Sequence, residues 1–293
     1  MNDSKEQNRQ SPATAQSLQD FERRTQHACD LINVGQCDRA INTLRSKGAK
    51  LLSDGDYLPP LWHWLYFLPT NHLTELGRDG HPQDGTFLPR IGNRRRMWAG
   101  SRCHFLAPII IGRKCDRHST ISKITSKRGR SGDLLFVTIS HKLTQNEEIK
   151  LVEDQDLVFL ADQPRPRSEG KRLEVEFDWE LSLSASECML FRFSALTFNT
   201  HRIHYDAPYA RRVEGYEDLV VHGPLQAILL LEAALANTQD RSLSKFSFKA
   251  AQPLYQNNPF TLAGHIPTAA KSELFTLNSE REICMSATIE WSE

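Results

Sequence analysis

The sequence of 293 residues lacks an excess of charge of either sign, and it lacks any long apolar run. Lys plus Arg and Asp plus Glu each total 36. A nucleic-acid-binding protein normally carries a basic excess that neutralises phosphates, so this balance argues against that class. No apolar stretch approaches the roughly 20 residues that cross a bilayer, so no membrane segment is predicted. Hydrophobic residues at 39% and charged residues at 25% indicate a globular protein with one large domain or two ordinary ones.

The N-terminal stretch lacks targeting features. Residues 1–18 are polar and contain no apolar core of a secretory signal. Asp3 and Glu6 are acidic residues of a kind that mitochondrial presequences tend to avoid. We therefore expect a disordered lead-in and a cytoplasmic protein.

The six cysteines lack the spacing of a metal site or of a disulfide framework. No CxxC motif is present, and Cys115-x-x-His118 is the nearest approach to a pair of metal ligands. Scattered thiols are typical of a protein from a reducing compartment. We predict no metal and no other cofactor.

The first half of the chain changes its periodicity along its length. Residues 19–50 place apolar side chains at three- and four-residue steps, which predicts helix. Residues 70–104 are rich in glycine, proline and polar residues, which predicts a long and therefore functional loop. From about residue 117 the period is two, which predicts three strands. Residues 161–172 hold two prolines, a glycine and six charges, so they are the predicted linker after an N-terminal domain of residues 19–160.

The second half, residues 173–293, combines strands with one very apolar helix. Residues 173–183 alternate as a strand does, and residues 219–237 are apolar almost all the way round, which predicts a buried helix. Three closing segments read as strands, the last with clean alternation from Ile283 to Trp291. One buried helix with several antiparallel strands is an α+β plan in which the sheet wraps the helix. The first half has strands but no equally apolar helix, so it is interpreted as a degenerate copy.

One segment carries a recognisable motif. Residues 193–234 contain HYDAPYA and VVHGPLQ, and they resemble the MaoC-type hydratase motif of the hot-dog superfamily. Residues 58–69, 95–102 and 126–141 are similar to the branch with an N-terminal FAS1-like dehydratase domain. That branch includes hydroxyacyl-thioester dehydratases of type 2 and the mesaconyl-C4-CoA and itaconyl-CoA hydratases. The resemblance implies a double hot-dog fold with a degenerate N-terminal unit and a catalytic C-terminal unit.

Hydration of an enoyl thioester needs a base for water, a proton for Cα and donors to the thioester oxygen. Histidine suits the first task because its ordinary pKa lies near neutral pH, and the resemblance places the catalytic histidine at His204. Gly223 precedes Pro224 in the first turn of the predicted helix, where unpaired amides favour negative charge. The Gly223 amide is therefore the expected oxyanion hole.

The motif departs from the family at one position. Where the MaoC-type motif has an aspartate five residues before its histidine, this chain has Asn199, followed by His201. The type 2 branch tends to show the same substitution, so the change does not imply an inactive enzyme. Asparagine cannot accept a proton at neutral pH, although it can orient water. His204 is then the principal acid and base, with His201 or Asp206 as its helper. Structural readings stay open, in which His201 and Asn199 brace the loop and His222 caps or packs against the helix.

Weaker expectations concern the first half. Arg95 and Arg96 could meet the phosphates of coenzyme A or of a carrier protein's pantetheine arm, or could form a solvated loop. Trp62 could line the substrate site or belong to the core. The first half should shape the acyl tunnel without supplying an acid or a base, so neither His63 nor His141 should be catalytic.

The leading functional hypothesis is a hydro-lyase acting on a short branched or carboxylated acyl-CoA of the mesaconyl-C4-CoA or itaconyl-CoA type. The alternatives are a dehydratase of (R)-3-hydroxyacyl carrier protein in fatty acid synthesis and an acyl-thioester binding module without turnover. A thioesterase is disfavoured because Asn199 stands where a carboxylate would be needed. The expected partner is the thioester substrate, with no nucleic acid and no membrane, and the chain is expected to be able to form a homodimer.

Overall fold

Ten antiparallel strands form one continuous sheet in the computed structural model, which describes residue 18 and residues 20–83, 85–89, 91, 94–129, 132–161, 170–238, 241–266 and 270–292. The strands of the first half are β1 (Thr25–Leu31), β2 (Arg94–Phe105), β3 (Lys114–Gly129), β4 (Gly132–Gln145) and β5 (Glu148–Ala161). Those of the second half are β6 (Trp179–Leu183), β7 (Leu243–Ala250), β8 (Phe260–Gly264), β9 (Lys271–Leu277) and β10 (Ile283–Trp291). The helices are α1 (Val34–Leu44), α2 (Glu187–Leu196), the short α3 (Ala207–Tyr209) and α4 (Gly223–Asn237), with 3₁₀ turns at Trp62–Leu65, Leu73–Glu75 and Arg202–His204.

The two halves of the sheet have the same topology. Across the sheet the order is β1-β3-β4-β5-β2-β7-β10-β9-β8-β6. Counted inward from either edge, the strands of each half therefore appear in the chain order first, third, fourth, fifth, second. The halves meet where β2 pairs with β7, from Gly100 opposite Lys249 to His104 opposite Lys245. This internal duplication is the double hot-dog arrangement that the motif implied.

Helix α4 is the buried helix of the second half. It packs against β8, β9 and β10, and nine of its 15 residues are buried. Buried apolar positions occur on every side of it because the sheet curves around the helix and the first half covers the rest. The predicted burial and the antiparallel sheet are both confirmed, although residues 219–222 lead into the helix as extended chain rather than belonging to it.

The first half has no counterpart of α4 among the described residues. In each half a helix directly follows the first strand, and Asn33 and Ser186 cap α1 and α2 with their side chains. After α1, the described residues from 45 to 91 run as loops and short 3₁₀ turns. Phe87, Leu88 and Ile91 from these loops pack on a small apolar cluster of the sheet. The first half is interpreted as a degenerate copy because a layer of loops takes the place of the central helix.

Several predicted elements are corrected by the structure. Residues 25–31, expected to be helical, form β1. The helix begins only after them, where the Asn33 side chain caps its first turn. Residues 94–105, expected to be part of a loop, form β2; their charged sequence hides a strand that is paired on both sides. The predicted strand at residues 173–183 is paired as a ladder only over its end, β6. The expected lead-in lies outside the described residues except for residue 18, as does most of the predicted linker (residues 162–169).

Candidate active site

A cavity of about 1430 Å³ opens between the two halves. The segment 64–99 and β3 to β5 line it from the first half, and the residues from Phe193 to the start of α4 line it from the second. The cavity therefore lies where the first half carries loops instead of a central helix. His204, His201, Asn199 and Gly223, all predicted from the sequence, are among its lining residues.

His204 is held in its neutral form. It ends the 3₁₀ turn Arg202–His204, and its side chain is buried. The ring Nδ1 lies 2.7 Å from the carbonyl oxygen of Val220. Because a carbonyl only accepts, Nδ1 carries the proton and Nε2 keeps its lone pair. Burial lowers the pKa of His204 to about 4, against a small opposing effect of the Val220 hydrogen bond, so the ring is neutral near pH 7.

His222 supports His204 from below. The two rings stack with centroids 3.6 Å apart and an interplanar angle of 17°. His222 Nε2 lies 2.8 Å from the Ser194 hydroxyl, while its buried Nδ1 has no hydrogen-bond partner among the described residues. Burial, followed by the neighbouring His204 and His201, lowers the pKa of His222 well below its usual range. His222 precedes α4, but its side chain does not cap the helix. Its ring instead packs flat against the ring of His204.

The turn that carries Asn199 and His201 is built by the end of α2. The amides of Phe198 and Asn199 donate to the carbonyls of Ala195 and Ser194 in a Schellman-type end. Asn199 Oδ1 then accepts from the His201 amide at 3.0 Å. The Asn199 side chain thus braces the loop and keeps its amide nitrogen for other partners. His201 is buried 5.5 Å from His204 between ring centroids, edge to face.

Gly223 begins α4 directly after His222. The first amides of a helix have no carbonyl of their own helix to donate to, and they carry the positive end of the dipole. A Cβ atom placed on Gly223 would meet nothing within 4 Å. The space at this position is open and Gly223 lines the cavity, so a ligand can approach the first turn of α4 here.

A second group of site residues comes from the first half and was missed by sequence reasoning. The tight loop around Gly80 brings Asp79 and His81 into the cavity wall. His81 Nδ1 lies 2.9 Å from Asp79 Oδ2, and the His81 amide donates to Asp79 Oδ1 at 3.0 Å. The His81 ring lies 4.1 Å from the His201 ring. No motif links residue 79 to residue 201, so only the short Asp-x-His spacing inside a long loop could have hinted at this pair.

The remaining predicted residues divide between site and scaffold. Arg96 lines the cavity, whereas Arg95 does not and forms an ion pair with Glu214 at 3.2 Å. Trp62 is fully buried and donates to Glu232 of α4, outside the cavity. Asp206 caps α3 and forms an ion pair with Arg202 at 2.7 Å, so its carboxylate is already engaged away from His204. Of the two candidate helpers, only His201 stands beside His204.

A buried polar network lies behind the cavity in the first half. Glu153 accepts from His63 at 3.0 Å and from Trp64 at 3.0 Å, and Ser101 also donates to it. Burial acts to raise the pKa of Glu153, but the hydrogen bonds and positive potential of the histidines hold it at about 2. His63 does not line the cavity, whereas His141 does. His141 lies 2.8 Å from the Ser119 hydroxyl, and burial lowers its pKa to about 4.

Among the described residues, two groups of side chains come close enough together to hold a metal ion. In the first, His63, Cys103 and Glu153, burial raises the pKa of the Cys103 thiol, and a protonated thiol is a poor ligand. In the second, Asp79, His81 and His201, the atoms lie within 4.8 Å of one another, but the Nδ1 proton of His81 already bonds the carboxylate. Both groups are therefore interpreted as hydrogen-bonded networks.

The family model for hydroxyacyl-thioester dehydratase type 2 matches residues 61–256. The chain is 42% identical over 269 residues to the mesaconyl-C(4)-CoA hydratase of Chloroflexus aurantiacus, covering 91% of this chain and 95% of the relative. It is 25% identical to the mitochondrial hydroxyacyl-thioester dehydratase type 2 of Schizosaccharomyces pombe, over 70% of this chain and 77% of the relative.

Solved structures share the fold at low sequence identity. HtdX of Mycobacterium tuberculosis has a TM-score of 0.67 at 15% identity and covers 92% of this chain and 100% of its own. A second M. tuberculosis protein, described as having a double hotdog fold, has a TM-score of 0.56 at 12% identity, over 92% of this chain and 96% of its own. Within the described residues, no helix has both the length and the apolar character needed to cross a membrane.

Proposed function

The chain belongs to the hydroxyacyl-thioester dehydratase type 2 family and is a hydro-lyase of enoyl thioesters, and on that premise we propose that it hydrates a short carboxylated enoyl-CoA of the mesaconyl-C4-CoA type. The 42% identical relative carries that activity in its name and aligns over almost the whole chain. The observation that carries the reaction itself is His204, a buried neutral imidazole that lines the cavity beside the start of α4. Its Nε2 forms no hydrogen bond with the described residues.

The reaction needs few groups, and the cavity wall offers them. In hydration, His204 Nε2 takes a proton from water while the water oxygen bonds to Cβ of the substrate. The π electrons move toward the thioester oxygen, where the Gly223 amide and the dipole of α4 stabilise the enolate. A proton then goes to Cα, and the histidine returns to its neutral form. In dehydration the same steps run in reverse, with His204 as the acid for the departing hydroxyl.

Asn199 has a narrower role in this scheme than a carboxylate would have. Its Oδ1 is hydrogen-bonded to the His201 amide. Its Nδ2 can donate to the oxygen of the attacking water, which orients the water without accepting its proton. We therefore assign Asn199 to water positioning and leave proton transfer to the histidines.

Arg117 supports the preference for a carboxylated acyl group. Its guanidinium lies over the Phe67 ring at 5.0 Å and lines the cavity. Its buried Nε has no hydrogen-bond partner among the described residues. Glu153 and Asp30 act on the guanidinium electrostatically, but neither forms an ion pair with it. A cationic group left unpaired in a cavity wall suits a substrate that brings its own negative charge.

The test is a panel of enoyl-CoAs incubated with the purified protein and followed by mass for the addition of water. Mesaconyl-C4-CoA and itaconyl-CoA represent the carboxylated class. Crotonyl-CoA and 3-methylcrotonyl-CoA lack the carboxylate, and crotonyl carrier protein tests the alternative in fatty acid synthesis. Hydration of a carboxylated member at a kcat/KM at least ten times that of the others supports the proposal. Preference for the carrier protein supports the dehydratase alternative, and binding without turnover supports the binding module.

Two further points belong to the proposal. All six cysteines are free thiols in the structure, which suits the cytoplasm. The second hot-dog unit is already present in the chain, so a single copy contains both walls of the cavity. A homodimer stays a prediction, to be tested by light scattering.

A further inference from the structure

A second group of titratable side chains beside the site histidines comes from the first half of the chain. The MaoC-type motif has a carboxylate where this chain has Asn199, so the site requires negative charge from elsewhere or must work without it. Of the acidic side chains in the described residues, Asp79 is the one grouped with site histidines in the cavity wall. It reaches that position through a loop that precedes β2, far from the motif in sequence.

The loop that carries Asp79 is firmly attached to the motif segment. The Arg202 amide donates to the Asp79 carbonyl at 2.9 Å, and the Thr200 hydroxyl donates to the Gly80 carbonyl at 2.6 Å. Gly80 has a φ of +91°, and a Cβ atom there would lie 1.8 Å from the Thr200 carbonyl oxygen. Only glycine permits this close approach of the two backbones. The position of Asp79 beside His201 is thus held by backbone contacts and does not depend on a flexible side chain.

Asp79 holds the ring of His81 in one orientation. Both carboxylate oxygens accept from His81, one from its amide and one from its ring Nδ1. The ring therefore carries its proton on Nδ1 and turns its Nε2 lone pair outward. His201 lies next to this ring, with one of its nitrogens within 4.8 Å of both a His81 nitrogen and an Asp79 oxygen.

We propose that Asp79 and His81 are positioning residues for His201, and that this Asp79–His81–His201 chain supplies the negative charge which Asn199 cannot. The inference rests on the proposed hydration reaction. The proton that leaves water is held by the histidine pair His201 and His204 until it reaches Cα. During that interval the pair carries one positive charge, and the Asp79 carboxylate offsets it across His81. No net proton is gained or lost by the enzyme in a turnover.

The surrounding charges make this compensation necessary. The groups facing His201 are Asp79 and His81 from the loop, Arg96 from β2, His204 from its own segment and His222 from the start of α4. Burial first, and then His81, His204 and Arg96, disfavour a positive charge on His201, and among these neighbours only Asp79 favours it. Without Asp79 a proton held between His201 and His204 would lie in a buried site that contains only neutral or positive neighbours.

The experiment compares Asp79→Asn, Asn199→Asp and the double variant on the enoyl-CoA that the wild type hydrates best. Asp79→Asn should lower kcat by about ten- to a hundredfold with KM changed less than threefold, below the full loss of an acid or base. Asn199→Asp introduces the carboxylate of the MaoC-type motif, so the double variant should recover kcat to within threefold of wild type. The acid limb of the kcat profile should also move in Asp79→Asn, because the charge next to His201 is gone.

Asp178→Asn is the matched control, since Asp178 pairs with His265 on the surface and outside the cavity. It should leave kcat and the pH profile unchanged, and thermal melting should show all variants folded. A kcat of Asp79→Asn within twofold of wild type overturns the inference. The inference is also overturned if Asn199→Asp fails to recover the lost kcat and the pH profile does not move. It is overturned as well if a chelator removes the activity and Zn²⁺ restores it. If the wild type hydrates none of the thioesters, the proposed function itself is refuted. This result is distinct from a loss of activity that is confined to the variants.

Discussion

At the scale of residues, the burial of His204 determines how the enzyme should respond to pH. Its pKa is lowered to about 4, so the free enzyme holds the neutral base far into the acid range. We expect kcat/KM to stay level down to about pH 5 and to fall only below it, rather than near the usual histidine pKa of about 6.5. His204→Ala should lower kcat by about a hundred- to ten-thousandfold with little change in KM.

His201→Ala is the comparison for this prediction, and it should lose less activity than His204→Ala if His201 is the helper. Stopped assays over pH 4 to 8 with a melting curve for each variant make the measurement. Near-normal hydration by His204→Ala would refute the mechanism. An acid limb centred near pH 6.5 would show that substrate-free His204 is not desolvated as the structure has it.

Arg117 provides a residue-scale test of substrate class. A hydrogen bond to a charged group contributes about 1.5–3 kcal/mol, which corresponds to about ten- to a hundredfold in binding. Arg117→Leu should raise KM for the carboxylated enoyl-CoA by that factor and leave KM for 3-methylcrotonyl-CoA unchanged. Arg117→Lys, which keeps the charge, should recover part of the difference. An equal effect on both substrates would mean that Arg117 supports the cavity wall and does not recognise a carboxylate.

The motif residues illustrate how far sequence reasoning reaches at this scale. His204, Asn199, His201 and Gly223 were found because they lie within one continuous segment with a characteristic spacing, and all of them line the cavity. Asp79 and His81 were not found because their relation to His201 arises from the docking of a distant loop. Trp62 was an ambiguous aromatic residue, and its contact with Glu232 of α4 depends on packing that no local pattern encodes.

At the scale of elements, the end of α2 carries a strained residue. Phe198 occupies the left-handed position of the Schellman turn with a φ of 48°, where glycine is usual. It is 54% exposed, yet it lines the cavity. A left-handed conformation costs a non-glycine residue roughly 1–2 kcal/mol, and strain kept at a cavity wall suggests a use there.

Phe198→Gly should therefore stabilise the protein by about 1 kcal/mol, a rise of about 2 °C in Tm for a chain of this size. It should also raise KM, because the change removes an apolar ring from the cavity wall. Phe191→Ala removes another exposed ring, one that lies within α2 and outside the cavity, so it should leave KM unchanged. A lower Tm in Phe198→Gly would show that the packing of the ring outweighs its backbone strain.

Elements were predicted best where one periodicity dominated. Helix α4 and strand β10 gave clear signals because one is apolar all round and the other alternates cleanly. Strand β2 gave none, since arginines fill its start and its pairing with β5 and β7 is set by distant residues. Strand β1 was obscured because its edge position leaves most of its residues exposed, so apolar alternation is weak.

At the scale of the whole molecule, duplication explains the position of the cavity. Both halves contribute the same five-strand order, but in the part of the chain that the structure describes only the second has a central helix. The loops that replace the helix in the first half leave room for an acyl group and place Asp79 and His81 against the second half. Loss of the helix from one copy therefore creates both the binding volume and the access of its loops to the site.

The buried histidines also give the whole molecule a predictable weakness to acid. Burial lowers the pKa of five of them, to about 4 for His141 and His204. In the unfolded chain these rings take up protons near pH 6.5, so below that pH the unfolded state binds more protons and stability falls as pH falls. This loss proceeds until the folded pKa is reached.

His141 and His204 alone should reduce the free energy of unfolding by about 2.5 kcal/mol per pH unit between pH 6 and 4.5. Denaturant unfolding at a series of pH values measures this slope, which counts the protons taken up on unfolding. His204→Gln removes one titrating ring, so its slope should be lower by about one proton, whereas replacing the exposed His265 with Gln should leave the slope unchanged. A wild-type slope below one proton would mean that these histidines are solvated or already charged in the folded protein. The assignment of His204 as a neutral base would then be wrong.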